Sequence, residues 1–183
     1  IFMNRLILFR FDIEKEVVEG QNVGSGAAEF GMYIATGLLI AGSVAGEGGG
    51  PDTAAAFFGM GLVLLVVFAL FYQLTTSFDM HSEIEGKNTA VGIALGGNLI
   101  AIGLVIFKAV FGDFDGWNEG VAAFITFGVI GFALLYVMRL LLDKMLLPTV
   151  SASKSIAVDR NLGVAFIESA VVISSALILF IAI

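Results

Sequence analysis

The stretch EGKNTAVGIALGG, Glu85–Gly97, opens a helix-length apolar run with one asparagine and a series of small residues. The chain does this three times. EGQNVGSGAAEFG stands at Glu19–Gly31, 66 residues earlier, and DRNLGVAFIESA at Asp159–Ala170. Self-similarity at a near-constant period marks a repeat architecture, so the fold is read outward from this unit.

The runs around these motifs are nearly free of charge. Residues 54–77, 89–107 and 120–138 hold no Asp, Glu, Lys or Arg; 23–45 hold only Glu29, and 161–183 only Glu168. Each is long enough to cross a ~30 Å hydrocarbon core as a helix. They are too continuous for barrel strands, which alternate apolar and polar residues. Composition agrees: of 183 residues, 58% are hydrophobic and 14% charged, against about 25% charged in soluble domains. The expected fold is all-α: a polytopic transmembrane helical bundle of repeated two-helix hairpins, with five full transmembrane helices and the end of a sixth.

The asparagine-led helices, termed A, are expected at 22–46, 88–111 and 161–183. The other helices, termed B, are expected at 53–77 and 118–142. Ile1–Phe9 reads as the end of an earlier B, because B helices finish alike in LFRFDI (8–13), TTSFDM (75–80) and RLLLDK (139–144). The opening IFMNRLILFR has no basic region ahead of its apolar one, so it is not a signal peptide. The repeats divide at 1–46, 47–112 and 113–183, and an intact protein of six helices in three hairpins is expected.

Eight of the nine basic residues lie within or beside the B-to-A connections, namely Arg5, Arg10, Lys15, Lys87, Arg139, Lys144, Lys154 and Arg160. The A-to-B connections GEGGGPD (46–52) and GDFDGWNEG (112–120) hold only acids. The positive-inside rule puts the B-to-A side in the cytoplasm and the carboxyl terminus outside. Ahead of the asparagines, Ile13 with Val17 and Met80 with Ile84 are spaced to share a helical face. A short interfacial helix is expected there, ended by a left-handed Gly20 or Gly86. Asn22, Asn88 and Asn161 then suit helix caps that accept from otherwise orphaned N–H groups; a direct ligand role is the alternative. The third connection, 143–160, is longer and contains Pro148, so it departs from the pattern. Gly24, Gly92, Gly96 and Gly163 follow the caps and suit close helix packing.

NTAVGIALGGNLIAIGLVI (88–106) and NLGVAFIESAVVISSALIL (161–179) resemble the YjfL-like bacterial membrane proteins, domain of unknown function 350. Asn88, Thr89, Ala90 and Gly92 match that family's second-helix opening closely. Asn161, Gly163 and Ala165 match its spacing, and Asn22, Gly24 and Gly26 match more loosely, with Val23 where Thr89 stands. The resemblance covers nearly the whole chain. It implies a bacterial inner-membrane protein and no established activity.

Glu29 and Glu168 each stand seven residues past an asparagine. An acid at a transmembrane helix centre costs about 2.5–3.5 kcal/mol on insertion scales, so it faces protein or a wet cavity. The middle repeat has Leu95 there, with Asn98 three residues on. Glu29, Glu168 and Asn98 are therefore the candidate intramembrane polar site. They serve as structural hydrogen-bonding groups, as an ion or proton pathway, or as a contact to a partner protein. Arg139 suits a snorkelling residue and Trp117 an interfacial anchor. Asp12, Glu14, Glu16, Glu19, Asp79, Glu83 and Glu85 form an acidic cytoplasmic rim, a solvated face or a dock for a basic partner.

No cysteine is present, and the single histidine, His81, cannot form a histidine cluster. No Ser/His/Asp set, HExxH or nucleotide-binding fingerprint occurs, so no metal, cofactor or enzymatic role is expected. The net charge of -7 argues against nucleic-acid binding. Two functions remain. One is a membrane scaffold or subunit of a larger assembly, contacting the bilayer and forming a homo-oligomer or joining other membrane subunits. The alternative is a small ion or proton channel or transporter subunit that uses the intramembrane glutamates.

Overall fold

The computed structural model describes residues 15–141 and 151–182. Ile1–Phe9, Asp12, Glu14 and Pro148 lie outside the described residues, as does the side chain of Arg139. Five long helices are present: α1 (Val23–Val44), α2 (Pro51–Thr75), α4 (Thr89–Val110), α5 (Trp117–Leu141) and α7 (Leu162–Ala182). Two short helices, α3 (Met80–Glu85) and α6 (Ala152–Ala157), and a π-helical turn (Lys15–Glu19) each precede an A helix. Each long helix is apolar and long enough to cross a membrane, and there is no strand among the described residues. The chain is an all-α bundle of membrane-spanning helices.

Helix ends follow the sequence. Pro51 starts α2, where its missing N–H costs nothing and its fixed φ suits a helix. Asn22 Oδ1 accepts from Ser25 N, Asn88 Oδ1 from Val91 N and Asn161 Oδ1 from Val164 N. All three asparagines therefore cap an A helix. Between α1 and α2, and again between α4 and α5, tight loops turn through Gly46 (φ +105°) and Gly112 (φ +149°). The loops are tied together by Phe114 N donating to Glu47 O and Glu47 N donating to an Asp113 carboxylate oxygen, both at 2.8 Å.

Packing is organised around α4, where 78% of the most apolar window is buried, against 22–39% for the other four long helices. Both α1 and α7 lie against α4. The α1 contact is a backbone approach: a Cβ added at Gly92 would strike the Gly24 backbone, one at Gly96 the Ala27 carbonyl, and one at Gly31 the Gly96 backbone. Lipid is as apolar as the helices, so van der Waals contact of this kind supplies the association energy. Helices α2 and α5 pack side by side through aromatic edges, Phe68 on Phe132 at 5.4 Å and Phe71 on Phe132 at 4.5 Å between ring centroids. Trp117, 48% exposed, stacks on Phe57 at the loop end.

One expectation is corrected. Gly20 and Gly86 are not the left-handed residues; Gly86 has φ -71°, and the positive φ falls one position later at Gln21 (+48°), Lys87 (+58°) and Arg160 (+50°). The glycines are needed for space: a Cβ at Gly20 would lie 2.7 Å from Glu16 O, and one at Gly86 3.2 Å from Ser82 O. The third connection also ends like the others. Its short helix α6 is capped by Ser151, and Asn161 N donates to Ser155 O at 2.9 Å as Asn22 N donates to Glu16 O at 3.0 Å.

Candidate functional site

Seven residues into α7, Glu168 points inward and is 3% exposed. Its Oε1 accepts from Asn98 Nδ2 on α4 at 3.4 Å and from the Tyr72 hydroxyl on α2 at 3.3 Å. Asn98 also donates to Ala94 O, one helical turn back, at 2.9 Å. Beside it, Ser169 Oγ donates to Ile93 O at 3.0 Å. An acid inside a membrane bundle is costly without such donors, and this set joins three helices at one carboxylate. The structure thus brings together Glu168 and Asn98, as the spacing suggested, and adds Tyr72. Sequence reasoning missed Tyr72; its one signal was a hydroxyl in an otherwise apolar run.

Glu29 stands at the same repeat position on α1 and is also buried, at 5% exposure. Leu95 takes that place on α4 and is fully enclosed. A cavity of about 380 Å³ sits at the opposite end of the bundle, between the two A-to-B loops, lined by Glu47, Thr53, Phe57, Asp113 and Phe114 among others. It does not include either glutamate.

The asparagines do more than cap. Asn22 Nδ2 donates to Ile84 O of α3 at 2.7 Å and to Glu16 Oε2 at 2.9 Å. Asn88 Nδ2 donates to Ile156 O and Ala157 O of α6 at 3.2 and 3.0 Å and to Glu83 Oε2 at 2.9 Å. Each amide reaches the short helix of the following repeat and a carboxylate of its own. Two acids of the rim, Glu16 and Glu83, are engaged here. Asn161 is different: it is exposed and caps α7 only from its oxygen. Of the packing glycines, Gly24, Gly92 and Gly96 line the α1–α4 contact, while a Cβ at Gly163 would meet only its own Asn161 Oδ1 at 3.3 Å. Among the described residues no group of three His, Cys, Asp or Glu could hold a metal ion. His81, 6% exposed, lies 3.9 Å from Asp79 in the α3 turn.

Five spanning helices, repeated caps and a buried polar cross-link define a multi-pass helical membrane protein built from hairpin repeats. The family described as Domain of Unknown Function (DUF350) matches residues 49–183, and the chain belongs to it. A UPF0719 transmembrane protein of Aquifex aeolicus (strain VF5) is 22% identical over 177 residues, covering 94% of this chain. The chain spans 65% of that curated relative's length. No solved structure matches.

Proposed function

We propose that the protein is a non-enzymatic subunit of a larger membrane assembly, a scaffold element of the bacterial inner membrane. The observation that carries this reading is the cross-linking of repeats. Small-residue helix faces and asparagine amides hold one hairpin to the next, and Glu168 is engaged by Asn98 and Tyr72 within the bundle. Groups used in this way suit lateral association of helices. In this reading the asparagine end, with Lys15, Lys87, Lys154 and Arg160, faces the cytoplasm, as the positive-inside rule favours. The loop end, with Glu47, Asp52, Asp113, Asp115 and Glu119, then faces outward with the carboxyl terminus.

The Glu168–Asn98–Tyr72 cluster favours one second reading, a channel or transporter subunit, because buried ionisable groups commonly mark ion pathways. That reading needs Glu29 and Glu168 on one hydrated path. Ion and proton flux in liposomes holding the full-length protein separates the two. The subunit reading expects no flux above empty liposomes, and none altered by Glu29→Gln with Glu168→Gln. Flux that disappears in the double variant overturns it in favour of transport.

A further inference from the structure

The contact between α1 and α4 is repeated between α4 and α7. The asparagines put the three A helices in register, 66 and 73 residues apart. In that register Gly31 against Gly96 corresponds to Gly97 against Ser169, and both pairs touch. Ala27 O beside Gly96 corresponds to Ile93 O, which accepts from Ser169. Gly42 against Phe107 corresponds to Lys108, whose Nζ lies 5.9 Å from the centroid of the Phe180 ring. The asparagine amides repeat as well, from Asn22 to α3 and from Asn88 to α6. One operation therefore relates repeat one to two and two to three.

Applied once more, the operation reaches beyond α7. The face of α7 that corresponds to the contact faces of α1 and α4 carries Gly163, Phe166, Ala170, Ser174 and Ile181, all exposed. The matching receptor face, which α4 and α7 use and α1 leaves open, carries Gly26, Phe30, Gly37 and Ala41. Phe30 is 63% exposed, Gly37 and Ala41 are exposed, and a Cβ added at Gly26 or Gly37 meets nothing within 4 Å. At the asparagine end Asn161 is exposed, and so are Val17 and Val18 of the first turn, which correspond to the acceptor positions in α3 and α6.

We propose that these two open faces bind each other between two copies of this chain, head to tail, so that α7 of one copy packs on α1 of the next as α4 packs on α7. The inference rests on the assembly-subunit reading and names its partner. The register sets Gly163 against Gly26 and Ser174 against Gly37, both small with small, and Ile181 against Ala41, large with small. Phe30 stands where Gly96 and Ser169 make their close approaches. There the junction opens by one side chain, and Phe30 meets Phe166. Asn161 donates its amide to the Val17 and Val18 carbonyls of the neighbour.

A heterologous contact of this kind closes a ring or grows a filament. At 3.6 residues per turn, the α4 positions facing α1 and those facing α7 lie roughly 110–120° apart about its axis. The three repeats described supply three A helices per copy, so two copies supply six. A ring of six such helices requires about 120° between these faces, which matches the angle on α4, so two copies close it as a dimer.

The chain has no cysteine, so engineered disulfides report directly on the junction. Gly26→Cys with Gly163→Cys, and separately Gly37→Cys with Ser174→Cys, would be made in the full-length protein and oxidised in native membranes. Gly26 and Gly37 have no neighbour within 4 Å of an added Cβ, Ser174 is exposed, and a Cβ at Gly163 meets only Asn161 Oδ1 at 3.3 Å, so each helix contact within the chain is kept. Each double variant is expected to move to dimer mass, while every single variant stays at monomer mass, because like faces do not meet. Dimer formation by a single variant, or none by either double variant, overturns the proposal. The mass of the wild-type protein in lipid nanodiscs separates the two failures. An oligomer without these cross-links removes the head-to-tail dimer and keeps the assembly reading; a monomer removes both. A further repeat of a longer chain covering either face would give that monomer.

Discussion

Asn88 and Asn161 occupy the same place in the same motif, yet they live in different surroundings. Both cap an A helix through their side-chain oxygen. Asn88 is fully buried and its amide holds α6; Asn161 is exposed, and among the described residues no short helix follows α7. The helices they begin differ alike, α4 being largely enclosed and α7 largely open. Capping is a property of one repeat and survives anywhere. The staple and the close backbone approach are properties of two repeats and exist only where a next repeat is present. The motif therefore encodes both a helix start and a way to join copies of itself.

The sharpest way to break this comparison is at the glycines. Gly96 lies against the backbones of Ala27 and Gly31, so Gly96→Leu must push two helices apart. Overpacking in a tight contact costs about 1–3 kcal/mol and occasionally more, and backbone contact places this substitution at the upper end. Gly163→Leu meets no neighbouring helix within the chain. It is expected to change the unfolding free energy of the isolated chain by less than about 0.5 kcal/mol, as exposed substitutions do. Unfolding of both variants in mixed micelles tests this, and equal losses would dissolve the distinction between joined and open repeats.

The asparagines come next. Asn88→Ala removes a cap and leaves the buried carbonyls of Ile156 and Ala157 without that donor. Loss of a cap costs about 1 kcal/mol, and each of the two unsatisfied carbonyls about 1–3 kcal/mol, so a total of at least about 3 kcal/mol is expected. Asn161→Ala loses the cap alone, about 1 kcal/mol. The difference between the two variants, read from the same unfolding measurement, isolates the staple. A difference near zero would mean that the bonds from Asn88 to α6 contribute no net stability.

Why the sequence displayed one half of this and hid the other follows from range. Charge-free runs mark the spans because a membrane core excludes unpaired charge over a fixed length. Asn22, Asn88 and Asn161 reveal the helix starts because capping involves residues three apart. The carbonyls that accept from the same amides lie more than sixty residues away, in α3 and α6, and no local pattern points to them. Tyr72 was hidden for that reason too, its bond to Glu168 crossing 96 residues. Glu168 and Asn98 were legible because a polar group in an apolar span must find a partner. The identity of that partner depends on how the helices pack.

The left-handed residues sharpen the comparison with the smallest effect. Glycine composition pointed to Gly20 and Gly86, but Gln21, Lys87 and Arg160 carry the positive φ. A residue with a Cβ pays roughly 1–2 kcal/mol of steric cost in that region, which glycine relieves. Lys87→Gly also loses the bond from Lys87 Nζ to Gly20 O, 2.7 Å long and exposed, so its gain is partly offset by a surface interaction of about 0.5–1.5 kcal/mol. Arg160→Gly is the test at the open end of the row, where the third repeat already has Asp159 in place of Gly20 and Gly86. Both variants are expected to raise stability by less than about 1 kcal/mol, Arg160→Gly more than Lys87→Gly. A loss in Arg160→Gly would show that its guanidinium, which comes 3.8 Å from the Cβ position of Gly86, helps to hold repeat three on repeat two.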